Sequence, residues 1–179
     1  MALRAAACSL LFVACAPGFA ADAAAKRYQL GETGAVELDV PANWSDAPLV
    51  PSKPAPGMLV LRPADGGFLA IVGTFPASLV GVPSDAFPSP KELLAATFGS
   101  ASPGQYELLS GVREFRAGQG RGYYMMRKLA GVTPYGHKLQ LQAFIHIGSQ
   151  LVSVMADAND EAAFQRILAV IGKGRFSLE

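Results

Sequence analysis

The stretch that decides the fold is KLQLQAFIHIGSQLVSVMA, residues 138–156. Apolar and polar residues alternate along Lys138–Ile147, which is the period of a strand with one face against a core. Phe144 breaks the polar face. Gly148-Ser149 is a turn signal, and Gln150–Ala156 continues as a second apolar strand. The apolar face of the first strand consists of Leu139, Leu141, Ala143, Ile145 and Ile147.

Upstream of this hairpin, the pattern predicts a four-strand meander. Tyr106–Arg116 and Arg121–Val132 read as its first two strands, with turns at residues 118–120 and 133–136. Met58–Arg62 and Phe68–Thr74 read as an earlier hairpin. Ala35–Val40 and a short segment from Tyr28 also have strand character.

Two segments have the signals of helices. In the first, Ser89 can act as the N-cap, Pro90 suits the first helical position and Glu92 completes a capping box. The second begins near Asn159–Glu161 and repeats apolar residues at helical spacing. Arg175–Leu178 reads as a closing tail strand. The predicted fold class is therefore α+β, an antiparallel sheet with a meander, flanked by two main helices.

The N-terminal segment has the features of an export signal. Arg4 precedes an apolar stretch that is too short to span a bilayer, and Gly18-Phe19-Ala20 offers small residues to a signal peptidase. The predicted organisation is a signal peptide over residues 1–20, a disordered lead-in over 21–27 and one domain over 28–178. The expected location is periplasmic or secreted.

Both cysteines of the chain lie in the signal segment. Leu11-Phe12-Val13-Ala14-Cys15 also resembles a lipobox, so lipidation of Cys15 is the alternative to simple cleavage. No other segment has the run of apolar residues that a membrane span needs.

Charge excludes several classes of partner. The chain has 15 basic and 14 acidic residues, and Arg4 lies in the signal segment, so the remainder carries no net charge. Nucleic acid and anionic bilayers require a basic excess and are therefore not expected as main partners.

Two Pro-rich segments, residues 46–57 and 76–90, are expected to be exposed loops. Several of their residues are nonetheless apolar, which predicts a partner-binding surface. The candidate partner-binding residues are Trp44, Leu49, Val50, Leu79, Val82 and Phe87.

One basic and aromatic group in the meander is a candidate patch for an anionic ligand, consisting of Arg116, Arg121, Tyr123 and Arg127. The opposing expectation is a solvated sheet face, because strand alternation would scatter the arginines of this region over two faces.

The order of elements resembles the PsbP-like (DcrB-like) superfamily. Leu38-Asp39-Val40-Pro41-Ala42-Asn43-Trp44 resembles its apolar strand that ends in proline near a tryptophan, and residues 148–168 resemble its last strand and helix. The resemblance covers residues 28–178. It implies an antiparallel sheet with packed helices and a non-enzymatic accessory or binding role. No functional residue carries over, since the matching patterns are core and turn patterns.

The residues alone indicate no catalytic constellation, metal site or cofactor. The two histidines, His137 and His146, are nine apart on one predicted strand and so face opposite sides. The leading hypothesis is a non-enzymatic envelope accessory protein that binds another protein. A carrier with a cavity lined by Met125, Met126 and Met155, or a weak hydrolase with a hidden serine, are the alternatives.

Overall fold

The computed structural model describes residues 23–31, 34–49, 56–76, 88–99, 104–148 and 150–177. The strands are β1 (Ala23–Gln29), β2 (Ala35–Pro41), β3 (Trp44–Leu49), β4 (Met58–Pro63), β5 (Phe68–Pro76), β6 (Tyr106–Leu108), β7 (Arg113–Ala117), β8 (Gly120–Leu129), β9 (Leu139–Ile147), β10 (Gln150–Ala158) and β11 (Arg175–Ser177), and the helices are α1 (Pro90–Gly99) and α2 (Glu161–Lys173). The predicted signal segment and Cys15 lie outside the described residues.

Within the described residues, a large antiparallel sheet of eight strands has the order β3-β4-β5-β10-β9-β8-β6, and β7 also pairs with β8. The predicted first strand of the meander, residues 106–116, is two strands. Ser110 interrupts it, because its hydroxyl accepts a hydrogen bond from the Met126 N–H at 3.3 Å. The α+β fold class predicted from the sequence is confirmed.

A small sheet of order β1-β2-β11 completes the fold. The predicted tail strand is confirmed, since Phe176 of β11 pairs with Val36 of β2. The disordered lead-in over residues 21–27 is wrong from Ala23 onward. These alanines and Lys26 form β1 because all seven residues of that strand pair with β2.

The main core lies between one face of the large sheet, here the inner face, and both α2 and the small sheet. The N-cap of α2 is Asp160, whose carboxylate accepts from the Ala163 N–H at 2.8 Å. Phe164, Ile167 and Ile171 are fully buried, as their helical spacing predicts. Gly172 lies inside the helix, and Gly174 is its C-cap.

Helix α1 packs on the opposite, outer face of the large sheet. The predicted capping box is present: Ser89 N–H donates to Glu92 Oε2 at 2.8 Å, and Glu92 N–H donates to Ser89 Oγ at 3.3 Å. Leu94 and Phe98 are buried against Phe144 and its neighbours in a second cluster. Helix α1 therefore packs where Phe144 interrupts the polar face of β9.

The expectation of a Pro-rich loop over residues 46–57 is wrong for its first four residues. Residues 46–49 belong to β3, which begins at Trp44. Pro48 is tolerated because β3 is the edge strand of the large sheet, where a missing N–H donor leaves no neighbour unpaired.

Candidate functional site

The outer face of the large sheet is covered by α1 in part only. The helix contacts β8 and β9. Strand register then divides the remaining outer face into two regions, an apolar one over β3, β4, β5 and β10 and a basic one at the hairpin of β7 and β8.

The apolar region consists of two cross-strand rows. In one row, Val60 pairs with Ala47 on one side and with Ile71 on the other, and Ile71 pairs with Met155. Residues directly opposite each other share a face, so the row crosses four strands, about 14 Å. We call Leu49, Met58, Val60, Ile71 and Met155 the apolar strip.

The second row brings the edge of the sheet into the strip. Leu49 pairs with Met58, and Met58 pairs with Gly73. A Cβ atom on Gly73 would lie 3.1 Å from the ring of Phe75, so this ring lies against the glycine. Leu49 is 49% exposed and Met155 38% exposed, and the other strip residues are partly exposed. A row of this kind ordinarily faces a core.

Of the predicted partner-binding residues, the structure describes only Trp44 and Leu49, and these two differ in exposure. Trp44 is 7% exposed and packs edge-on against Phe68 with ring centroids 4.7 Å apart, so its assignment to a binding surface is wrong. Its position at the start of β3 turns the indole to the inner face, beside the buried Leu61. Leu49 is exposed. The remaining residues of the set lie outside the described residues: Val50, Leu79, Val82 and Phe87.

The predicted basic patch lies on one face. Arg116 pairs directly with Arg121, and Tyr123 and Arg127 follow Arg121 at even spacing along β8. The expectation that alternation scatters these arginines is therefore wrong for the three arginines of the patch. It holds for Arg113, which pairs with Tyr124 and so lies on the inner side.

Arg127 is already engaged. Its guanidinium donates to Gln140 Oε1, with Nε at 2.8 Å, and lies 5.0 Å from the ring centroid of Tyr106 and 5.1 Å from that of Phe98. Gln140 in turn donates to Asp157 at 2.9 Å. This ladder across β8, β9 and β10 holds the C-terminal end of α1 and engages the Arg127 guanidinium with Gln140 and with two aromatic rings.

The other patch residues lie at the opposite end of α1. Lys91 of the helix places its Nζ 4.9 Å from the ring centroid of Tyr123. Glu114 is the nearby carboxylate, 3.7 Å from Arg121 Nε, and both side chains are largely exposed. We call Lys91, Arg116, Arg121 and Tyr123 the basic corner.

A third polar group ties the small sheet to the edge of the large one. The Tyr28 hydroxyl donates to Asp46 Oδ2, and Lys26 Nζ lies 3.0 Å from the same oxygen. The hydrogen bond from Tyr28, and then Lys26, lowers the pKa of Asp46. Burial, and then the bond to Asp46, raises the pKa of Tyr28. Since all three groups satisfy one another, they serve the fold.

The remaining candidates are dispersed. His137 is buried and precedes β9, whereas His146 is on β9 and exposed, so they do not share a strand. Met126 is in the main core, Met125 lies under α1 and Met155 is in the apolar strip, so the three methionines line no common space. In the described part of the chain, no three His, Cys, Asp or Glu side chains are grouped to hold a metal ion.

Sequence reasoning missed most of the apolar strip and one residue of the basic corner. Met58, Val60 and Ile71 lie in predicted strands, and Phe68–Val72 is apolar on both faces, which predicts a strand covered on both sides. Lys91 lies at the predicted start of α1. Its place beside Tyr123 depends on where α1 packs on the sheet, and no local sequence pattern predicts this packing position.

Comparison with known proteins shows the fold. No protein-family model matches the chain, and no curated protein sequence matches it either. The solution structure of cyanobacterial PsbP (CyanoP) from Synechocystis sp. PCC 6803 is similar with a TM-score of 0.57 at 15% identity, over 90% of this chain and 98% of that one. The PsbP-like fold resemblance is thereby confirmed.

Two further structures align at lower TM-scores. LpqN, involved in cell envelope biogenesis of Mycobacterium tuberculosis, gives 0.44 at 17% identity, over 87% of this chain and 92% of that one. A protein from Bacteroides thetaiotaomicron gives 0.43 at 9% identity, over 80% of this chain and 46% of that one. No helix of the described residues has the length and apolarity to cross a membrane.

Proposed function

We propose that this chain is an exported, non-enzymatic accessory protein of the bacterial cell envelope that acts by binding another protein. The observation that carries the proposal is the apolar strip, which leaves five apolar side chains partly or largely exposed across four neighbouring strands. Burying such surface is favourable by about 25 cal/mol per Å². A protein partner is the class of ligand that covers a flat sheet face of this width.

The N-terminal sequence supports the cellular part of the proposal. A charged residue, a short apolar segment and small residues before Ala21 direct a chain to the envelope. Either cleavage after Ala20 or lipidation of Cys15 leaves the domain outside the cytoplasm, and lipidation would hold it at a membrane surface.

Photo-crosslinking in intact cells tests the proposal. A photoreactive phenylalanine derivative is placed at Leu49 or at Met155, at opposite sides of the apolar strip. The matched control position is Val132, which is 59% exposed and lies in the turn between β8 and β9. We expect both strip positions to capture the same envelope protein and Val132 not to capture it.

A substitution distinguishes specific capture from crowding. Met58→Gln with Met155→Gln makes the strip polar while removing little buried volume, so crosslinking from Leu49 should fall severalfold with the fold intact. Equal capture at Val132, or unchanged capture by the double variant, would refute the strip as the binding surface. The mass of the mature N-terminus in the same samples distinguishes Ala21 from a lipidated Cys15.

A further inference from the structure

The basic corner has an unusual charge arrangement. Arg116 of β7 and Arg121 of β8 are directly opposite partners in an antiparallel pair, and such partners have side chains close together on the same face. Like charges in this position destabilise a sheet. Lys91 adds a third positive charge from α1, through its position over the Tyr123 ring.

Little negative charge compensates this group. Glu114 lies 3.7 Å from Arg121 Nε, and both side chains face solvent, so this ion pair is weak. No acidic side chain of the described residues forms an ion pair with Arg116. Arg127 on the same strand shows the contrast, since its guanidinium donates two hydrogen bonds to Gln140 Oε1.

The surface around Arg116 has room for a ligand. An open cleft of about 640 Å³ runs along the hairpin between Glu114 and Arg121. A second, of about 500 Å³, lies on the inner side of the same hairpin, between the end of β7 and the C-terminal end of α2, where Lys173 lines it. Gly118, Gly120 and Gly172 border these clefts and present backbone without side chains. A small charged group can therefore reach the guanidinium groups from outside.

We propose that the basic corner binds a phosphate group. A guanidinium presents a planar fork of N–H donors, which matches two oxygens of an anion. Two opposed forks need an acceptor with oxygens on more than one side, which a tetrahedral phosphate provides and one planar carboxylate does not. Lys91 and the Tyr123 hydroxyl supply further donors at the same end of α1. The phosphate belongs to a free phosphorylated compound or to a lipid headgroup.

This site goes beyond the proposed protein contact, because α1 separates the basic corner from the apolar strip. NMR titration of the folded domain with inorganic phosphate is the first probe. Flotation with phosphatidylcholine vesicles, with and without phosphatidylglycerol, is the second. The variants are Arg116→Gln and Arg121→Gln. The matched control is Arg113→Gln, which removes the same charge from the same hairpin on its other face.

We expect the wild type to bind at least one probe, with amide shifts centred on residues 113–123. The dissociation constant should rise about tenfold in Arg116→Gln and in Arg121→Gln, because each loses a charged hydrogen-bond donor. Arg113→Gln should bind like the wild type. Binding of phosphate alone assigns a free phosphorylated ligand, and binding of anionic vesicles alone assigns a lipid headgroup.

Two outcomes would overturn the site. One is no saturable binding of either probe by the folded wild type. The other is an equal loss in Arg113→Gln, which would mean that only net charge matters. Unfolding curves of the three variants establish that each is folded, so a loss of binding is not a loss of structure.

Discussion

At the scale of single residues, Trp44 stabilises the core and is not part of a binding surface. Its ring is buried edge-on against Phe68 at 4.7 Å. We expect Trp44→Ala to lower the free energy of unfolding by about 3–5 kcal/mol, as for other large buried side chains. Leu49→Ala, on the exposed end of the same strand, should change it by less than about 1 kcal/mol. Urea unfolding followed by circular dichroism measures both, and a mild effect of Trp44→Ala would contradict the core assignment.

Asp46 makes stability depend on pH. Its hydrogen bond from Tyr28, and then Lys26, lowers its pKa in the folded state. A lowered pKa stabilises the fold above the pKa of the unfolded carboxyl, and this contribution disappears as pH falls through the folded-state pKa. We expect Asp46→Asn to cost about 1 kcal/mol at neutral pH and progressively less as the pH falls through the folded-state pKa of Asp46. Urea midpoints at neutral pH and at a series of acidic pH values test this.

Lys26→Met is the matched variant for this pair. It removes the cation and leaves the Tyr28 hydroxyl on Asp46, so the acid-dependent loss of stability should shrink without vanishing. A variant that behaves like Asp46→Asn would show that Lys26, rather than Tyr28, is the main cause of the lowered pKa.

At the scale of elements, α1 depends on its capping box. Ser89 Oγ accepts from the Glu92 N–H, and the Glu92 carboxylate accepts from the Ser89 N–H. Ser89→Ala should cost about 1 kcal/mol and speed amide hydrogen exchange in the first turn of α1. Glu92→Gln keeps an acceptor and should have a smaller effect. Unchanged exchange in Ser89→Ala would mean that packing on the sheet alone holds this end.

The approach of α2 to β7 depends on Gly172. A Cβ atom there would lie 2.7 Å from the backbone oxygen of Arg116, which cannot move without shifting the strand. Alanine is ordinarily favoured over glycine in a helix by about 1 kcal/mol. Gly172→Ala should instead destabilise the protein. We expect it to lower the free energy of unfolding, measured by thermal unfolding, by about 1–3 kcal/mol. Gly111→Ala, with open space around it, should be nearly neutral, and equal effects would refute the close approach.

At the scale of the whole molecule, the sequence predicted what is local. The capping box, the alternation in β9 and the helical spacing in α2 each lie in one segment, and each is confirmed. The sequence does not predict β1 or β3 as they are in the structure, because each forms by pairing with a neighbouring strand. The alanines of β1 have little strand propensity of their own, and Pro48 argues against a strand in isolation.

The candidate surfaces were predicted less completely than the fold. The sequence indicates the residues of the basic patch, but which of them share a face depends on the register of β7 on β8, which places Arg116 opposite Arg121. Exposure of Met155 depends on where α1 stops covering the sheet. The burial of Trp44 depends on its packing against Phe68, which is distant in the sequence. Such facts arise from long-range packing, which a single sequence does not encode locally.

The boundary of the domain gives the last prediction. The sequence placed it at Tyr28, whereas β1 begins at Ala23 and pairs along its whole length with β2. A chain beginning at Ala21 should therefore unfold with the stability of the longer protein. A chain beginning at Tyr28 loses most of β1 and exposes the edge of β2 beside buried Val36 and Leu38. We expect the chain beginning at Tyr28 to have a free energy of unfolding, measured in urea, that is lower by several kcal/mol. The cause is the loss of both the strand pairing and the Lys26–Asp46 contact. Equal stability of the two chains would show that β1 is dispensable and would restore Tyr28 as the start of the domain.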